Sequence, residues 1–417
     1  AIAELRATLA GIKADYDARI RELETRLEAA ERNASKAKRE AGDAVDMAEE
    51  TAIAASVGQS SANAFNPAIG AVLVGRYTSL ENGWDAIPGF AAGSELGPGG
   101  SGFTLGESEI NLKSAIDADF FGNLTLALED EDGDTNVSVE EAWVQTTSLP
   151  HGFTALAGRY FSGIGYLNKF HRHADDFSDR PLPYQAFFGG QYIEDGARLS
   201  WVAPTATFFE LGGETNWSNR YPNTGGGNSA GAWDVFANVG GDIGYSHSWQ
   251  LGISYLDMNI KERPGGEDVT DSFTGSSNIT GVDFVYKWAP EGNPTVRNFK
   301  LQGEYFYREE DGDYGGADYD GDQNGWYLQG VWQFMPRWRI GYRYDQVDAD
   351  NGDLFSGTPL ADPDHKPHRN TFMVDWAGSE FSRLRLQYSY DKVNDDGENQ
   401  VVLEYLMSLG AHGAHDF

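Results

Sequence analysis

The sequence has no cysteine in 417 residues. That excludes a disulfide framework, a thiol nucleophile and a cysteine-ligated zinc site together. Basic side chains are scarce: 31 Lys and Arg stand against 64 Asp and Glu, for a formal net charge of −33. Nucleic-acid binding draws its affinity from a basic surface, so no nucleic-acid partner is expected. No apolar run reaches the roughly 18 residues that a transmembrane helix needs. The mean hydropathy of −0.49 would suggest a soluble protein, but only if membrane proteins had to be helical, and they need not be. Against these absences stand 51 Gly, 11 Trp, 20 Tyr and 23 Phe, with only 15 Pro. That mixture points to β-structure with many turns rather than to disorder.

Residues 1–50 differ in composition from the rest. Ile2, Leu5, Leu9, Ile12, Tyr16, Ile20, Leu23 and Leu27 recur at steps of three and four, and an alanine seam continues them to Ala48. This is a heptad stripe with one stutter. A single helix cannot bury so narrow a stripe, so an oligomeric coiled coil is expected, with dimer and trimer both open. Residues 51–66 are small and polar and read as a linker.

From Pro67 onward the pattern alternates with a period of two. Strands are predicted near 68–77, 103–116, 119–129, 138–147, 153–161, 195–203, 206–216, 232–242, 244–256, 278–288, 296–308, 324–334, 337–345, 370–377, 380–390 and 399–409. Seven short and eight long connections alternate between these sixteen strands. Strands of about ten residues, with aromatics crowding their ends, suit a tilted crossing of a bilayer. The fold class is therefore all-β: a 16-stranded antiparallel transmembrane β-barrel over 67–417, preceded by an α-helical coiled coil. A soluble sandwich shares the alternation but not the alternating turn lengths.

The coiled-coil start, the linker, the sixteen strands and the aromatic last residue, Phe417, together resemble the trimeric outer-membrane porins, and more closely the phosphate-selective porin O/P-like group. The segments FSGIGYLN and DRPLPYQAFFGGQY within 161–192 also resemble proteins labelled TonB-dependent receptors. Those combine a plug with 22 strands, which about 350 residues cannot supply. The porin resemblance implies a homotrimer in outer-membrane lipid and lipopolysaccharide, with the helix in the periplasm and a processed N-terminus. It also implies passive diffusion of small hydrophilic solutes or ions, with no catalysis and no required cofactor. The competing function is an envelope tether whose barrel serves mainly as an anchor for the coiled coil.

In porins the third outer loop narrows the channel. Here that is the longest connection, near 162–194, and its candidate constriction residues are Lys169, His171, Arg172, His173, Asp175, Asp176, Asp179 and Arg180. The group His171, His173, Asp175 and Asp176 also has spacing that a metal site uses. A hydrolase reading of His and Asp lacks a nucleophile tied to it. Arginine facing lipid costs about 2–4 kcal/mol at mid-depth. The strand cations Arg76, Lys113, Arg159, Arg198, Lys300, Arg308, Arg337, Arg339, Arg343, Arg383 and Arg385 are therefore expected on the lumen face, as a basic ladder or as wall-stiffening ion pairs. In the outer loops, Asp130, Asp132, Asp134 and Asp318, Asp320, Asp322 form two Asp-x-Asp-x-Asp runs. They are candidate Ca²⁺ ligands or a solvated anionic rim.

Overall fold

The computed structural model describes residues 67–410 apart from 93–95, 98, 132–133, 218–219, 225–230, 267–268 and 353–354. The coiled-coil positions from Ile2 to Leu27, the linker and Phe417 lie outside the described residues. The described chain forms one antiparallel sheet in sequence order that closes on itself, because β1 (Ala68–Leu80) pairs with β17 (Glu398–Gly410). β2 (Gly102–Leu105) and β3 (Ser108–Ala115) both pair with β1 and are two halves of one strand, interrupted at Gly106 and Glu107. Counted so, the barrel has sixteen strands, and each predicted strand lies on an observed one.

The remaining strands are β4 (Phe120–Glu131), β5 (Asp134–Thr146), β6 (Phe153–Phe161), β7 (Ile193–Val202), β8 (Phe208–Asn216), β9 (Ala232–Ile243), β10 (His247–Pro264), β11 (Ser272–Trp288), β12 (Asn298–Tyr314), β13 (Ala317–Met335), β14 (Trp338–Asp350), β15 (His368–Ser379) and β16 (Ser382–Lys392). The alternation that predicted them has a simple cause. Successive Cβ atoms point to opposite faces, so Leu384, Leu386, Tyr388 and Tyr390 are exposed on the outer face while Arg385, Gln387, Ser389 and Asp391 are buried inside. Aromatic rings pair across strands on the outer wall, as in Tyr342–Phe372 at 4.8 Å and Trp326–Tyr344 at 5.3 Å. An apolar face left this exposed all round a barrel is a surface made for lipid, not water.

Three expectations need correction. The sixth outer connection, expected as a long loop near 309–323, is a hairpin: β12 and β13 run on to a turn at Gly315 and Gly316, whose φ values of 61° and 89° suit glycine, and the second, expected as a long loop near 130–137, is likewise short, because β4 and β5 pair as far as Glu131 and Asp134. Tyr314 and Tyr319 continue the buried inner face while Asp318, Asp320 and Asp322 continue the exposed outer one, so alternation persists where the acidic composition suggested loop. Second, Arg159 faces outward. Its neighbour Tyr160 is buried beneath Arg198 inside the barrel, so Arg159 takes the opposite face and pairs with Asp195 across β6 and β7 at 2.6 Å. A carboxylate directly opposite makes an outward arginine tolerable. Third, Arg337 precedes β14, in the turn before Trp338, with φ 71°, so the turn and not strand parity brings it to the inner cavity that it lines.

The main apolar cluster does not lie in the wall. It fills the barrel at the long-loop end, where Trp84, Ile87 and Phe90 of the first connection meet Phe187 and Phe188 of the third and Phe355 and Leu360 of the seventh. Wall residues Leu256, Ile260, Phe273 and Phe306 point inward to receive them. Only the third connection was expected inside; the first and seventh accompany it.

Candidate functional site

The third connection turns into the lumen because its first residues allow close approach. Gly165 has φ 68°, and a Cβ there would strike the Glu304 carboxylate and the Tyr184 hydroxyl. Glu304, on β12, accepts the backbone N–H groups of Tyr166 and Leu167, each at 2.9 Å, and the Tyr184 hydroxyl at 2.9 Å. Asn168 closes the neck: its side-chain amide donates to the carbonyls of Ser162 and Tyr192, both at 2.9 Å, and Tyr192 N–H donates back at 2.8 Å. A short helix α1 (Leu182–Phe188), wholly buried, ends at Gly189 in the left-handed conformation.

Between these anchors the loop meets one sector of wall with acids. Asp176 pairs with Lys300 and with Arg339, the latter at 2.9 Å. Asp179 takes Arg369 at 2.5 Å, Arg343 at 3.1 Å and the Gln387 amide at 2.7 Å. Loop carbonyls serve the same arginines: Arg385 donates to Asp175 O at 2.7 Å, Arg383 to His173 O at 2.6 Å and Arg76 to Ser178 O at 2.6 Å. Within the loop, Asp175 pairs with Arg180 at 2.5 Å. The wall arginines are themselves interleaved with acids, Arg385 with Asp375 at 2.9 Å and Arg76 with Glu404 at 2.8 Å.

The opposite sector is acidic, and there the loop presents a cation. Lys169 lies over the Phe236 ring at 5.4 Å, facing Asp283, Glu210 and Glu304. Arg198 from β7 pairs with Glu214 at 2.5 Å, beside Asp234. Burial pulls the Lys169 ammonium below its ordinary value, against the raising effect of Asp283 and Glu210. On the arginine side, burial would raise the Asp179 carboxyl, but Arg369 and Arg343 prevail and hold it at about 2; Lys300 and Arg339 likewise hold Asp176 below the usual carboxylate range.

The two histidines part company with the aspartates. Instead of joining Asp175 and Asp176, His171 and His173 turn to Glu109 on β3 and to Glu140 and Glu141 on β5. A bulge in β5 puts both glutamates on the inner face, since Thr125 pairs with Glu141 and Leu126 with Val139. Arg172 stands 3.3 Å from Glu107.

Of the predicted lumen cations, Arg76, Arg198, Lys300, Arg308, Arg339, Arg343, Arg383 and Arg385 face inward, as does Lys113 by its parity with Glu109. Sequence reading missed Arg369, Arg263, Glu304 and Glu140. Arg369 shares parity with Asp375, so a strand begun two residues earlier would have found it. Arg263, held by Glu310 at 2.7 Å, reaches the inside only through an irregularity after Ile260. The outer carboxylates Asp318, Asp320 and Asp322 stand in a row. Among the described residues, metal-ligand atoms converge only around Glu107, Glu109, Glu140, His171 and His173. Asp132 and the side chains of Asp130 and Asp134 lie outside the described set.

Beneath the loop, at the short-turn end, a cavity of about 610 Å³ is lined by Lys300, Arg337, Arg339 and Arg383 with Asp176 and Glu380.

No family model matches the sequence. An uncharacterized protein of Aquifex aeolicus (strain VF5) is 30% identical over 346 residues, covering 76% of this chain and 70% of that protein. The fold is similar to solved barrels. One is the outer membrane channel DcaP of Acinetobacter baumannii (TM-score 0.55, 13% identity, 82% of this chain and 97% of that one). Another is an anion-selective porin from Comamonas acidovorans (0.53, 13%, 82% and 99%). A third is OmpT, an outer membrane protein of Vibrio cholerae in a trimer form (0.51, 10%, 82% and 99%).

Proposed function

The chain belongs to the same family as the Aquifex aeolicus protein, and from its porin-like barrel we propose that it is an outer-membrane channel for passive diffusion of small hydrophilic solutes or ions. The observation that carries this reading is the third connection, which crosses the lumen and is bound on opposite sides by wall groups of opposite charge. A loop so placed constricts a water path while leaving the wall polar, and charges fixed across it sort solutes by charge as well as size. The cavity at the short-turn end, with four cations to two carboxylates among its charged lining, supports an anion-attracting inner vestibule.

The protomers assemble as a trimer, which the trimer form of the Vibrio barrel supports, and residues 1–50 are proposed as its periplasmic coiled coil. The phosphate-selective likeness stays at the level of solute class, small anions. On the outside, Asp311 faces Asp320 and Asp313 faces Asp318 across β12 and β13. Like charges directly opposed favour counter-ions, so Ca²⁺ screening this ladder against lipopolysaccharide phosphates belongs to the same proposal.

Planar-bilayer recording on purified protein tests the function. Ohmic single-channel steps with an anion-favouring reversal potential are expected. A barrel with no conductance overturns the channel and favours the tether.

A further inference from the structure

Two imidazoles of the third connection meet wall carboxylates at the seam where loop and barrel join. His171 Nδ1 lies 3.1 Å from Glu109 Oε2 and 3.2 Å from Glu140 Oε2, and His173 Nδ1 lies 2.7 Å from Glu109 Oε1. Ligand atoms of His171, His173 and Glu109 all fall within 4.8 Å of one another. A tetrahedral ion with bonds of about 2.1 Å has ligand-to-ligand edges of about 3.4 Å, so two of these separations are already close to coordination edges. We propose that His171, His173, Glu109 and Glu140 bind one divalent transition-metal ion of the zinc class, which pins the third connection to β3 and β5.

Three features carry the assignment. The first is the donor set. Two imidazole nitrogens with carboxylate oxygens and no sulfur suit zinc, nickel or cobalt, whereas calcium and magnesium prefer oxygen alone. The second is the outer support. His171 Nε2 lies 3.1 Å from Glu141 Oε2, and Glu141 Oε1 in turn accepts the Trp143 indole N–H at 2.8 Å. A carboxylate holding the far nitrogen of an imidazole fixes its tautomer and leaves the near nitrogen to a metal, the arrangement common behind metal-bound histidines. The third is charge. Oxygens of Glu107, Glu109 and Glu140 also converge within 4.8 Å, and the last two residues are at most 4% exposed. Buried carboxylates crowded together favour a bound cation.

The alternative compensation is a single protonated His171 bridging the glutamates through both ring nitrogens. A metal instead requires the rings neutral at their ligating nitrogens, and the zinc titration decides between the two.

The site is tested on the full chain after chelator treatment, by calorimetric titration with Zn²⁺ and, separately, Ca²⁺, and by the visible spectrum with Co²⁺. One Zn²⁺ per chain, a tetrahedral Co²⁺ band and no Ca²⁺ at the same site are expected. His171→Ala with His173→Ala should abolish binding, and Glu141→Gln should weaken it roughly 10–100-fold. Wild-type protein alone gives a second readout: Zn²⁺ should slow proteolytic cleavage of 162–192 and Ca²⁺ should not. Zn²⁺ binding that persists undiminished in the double histidine variant, or a wild-type chain that takes up no Zn²⁺, overturns the proposal. Neither readout needs an open pore, so the site can fail while the channel stands, and the reverse.

Discussion

The lumen has two differently built sectors. Along β14–β16, Arg339, Arg343, Arg369, Arg383 and Arg385 alternate with Asp345 and Asp375, and the third connection adds Asp176 and Asp179. Along β8–β12, Glu210, Glu214, Asp234, Asp283 and Glu304 face Lys169 and Arg198. Guanidinium groups, rigid forks with five donors, lock the loop on the first side through side-chain and carbonyl acceptors alike. On the second side much of the locking is done by hydrogen bonds into one carboxylate, Glu304. The loop is thus clamped by charge pairs on one side and by oriented donors on the other. Its own charge order, a lysine early and aspartates later, matches the order of the wall sectors it meets.

That contrast can be broken most severely at Asp179. Asp179→Asn leaves Arg343 and Arg369, each 1% exposed, with Asp345 as the one anion they share. Removing one partner from a buried charge network costs up to about 3–5 kcal/mol. Limited proteolysis should cut 162–192 much faster, and single-channel steps should become larger and noisier. Glu304→Gln attacks the other clamp. It weakens charge-assisted bonds from Tyr166, Leu167 and Tyr184, worth about 1.5–3 kcal/mol each when the acceptor is charged. Equal loosening in both variants, read by hydrogen exchange of the neck amides, would erase the distinction between sectors.

Selectivity should follow the sector altered. Arg339→Glu or Arg383→Glu should move the reversal potential in a salt gradient toward cations, and Lys169→Gln should move it less, because Lys169 is one cation among many carboxylates.

Acid should spare the arginine clamp until late. Asp179 is held at about 2 in the folded chain, against about 3.9 when unfolded. A lowered carboxyl contributes stability that is full above the unfolded value and is lost as pH falls through the folded one. Protection of 162–192 should therefore hold from pH 7 to about pH 4 and collapse toward pH 2.

The smallest effect is expected outside both sectors. Arg159→Ala removes an outer-face pair with Asp195 that is partly exposed, and should lower thermal stability less than the loop variants do, with conductance unchanged.

Much of this wall was legible from pattern alone. β6 occupies 153–161 as predicted, and Arg385 inside with Leu384 and Leu386 outside follows from counting by two. Legibility failed wherever the count slipped. The bulge at Glu140 and Glu141 sets two consecutive acids inward, and the irregularity after Ile260 turns Arg263 inside. One extra residue inverts parity locally, and composition carries no mark of it. The acidic run 309–322 misled in the other direction, because its polarity suggested loop while Tyr314 and Tyr319 kept the strand period.

The site was legible as a list and not as a map. His171, His173, Asp175 and Asp176 are neighbours in sequence, yet the histidines go to β3 and β5 and the aspartates to Arg180, Lys300 and Arg339. Sequence by itself determined the strands and most of their faces, because a period of two is a local property of the backbone. Only the tertiary structure decided where the third connection lies and which charges it meets. Several of its partners, Glu304 for Tyr166 and Arg369 for Asp179 among them, are more than a hundred residues away, and are brought within reach only when the barrel closes.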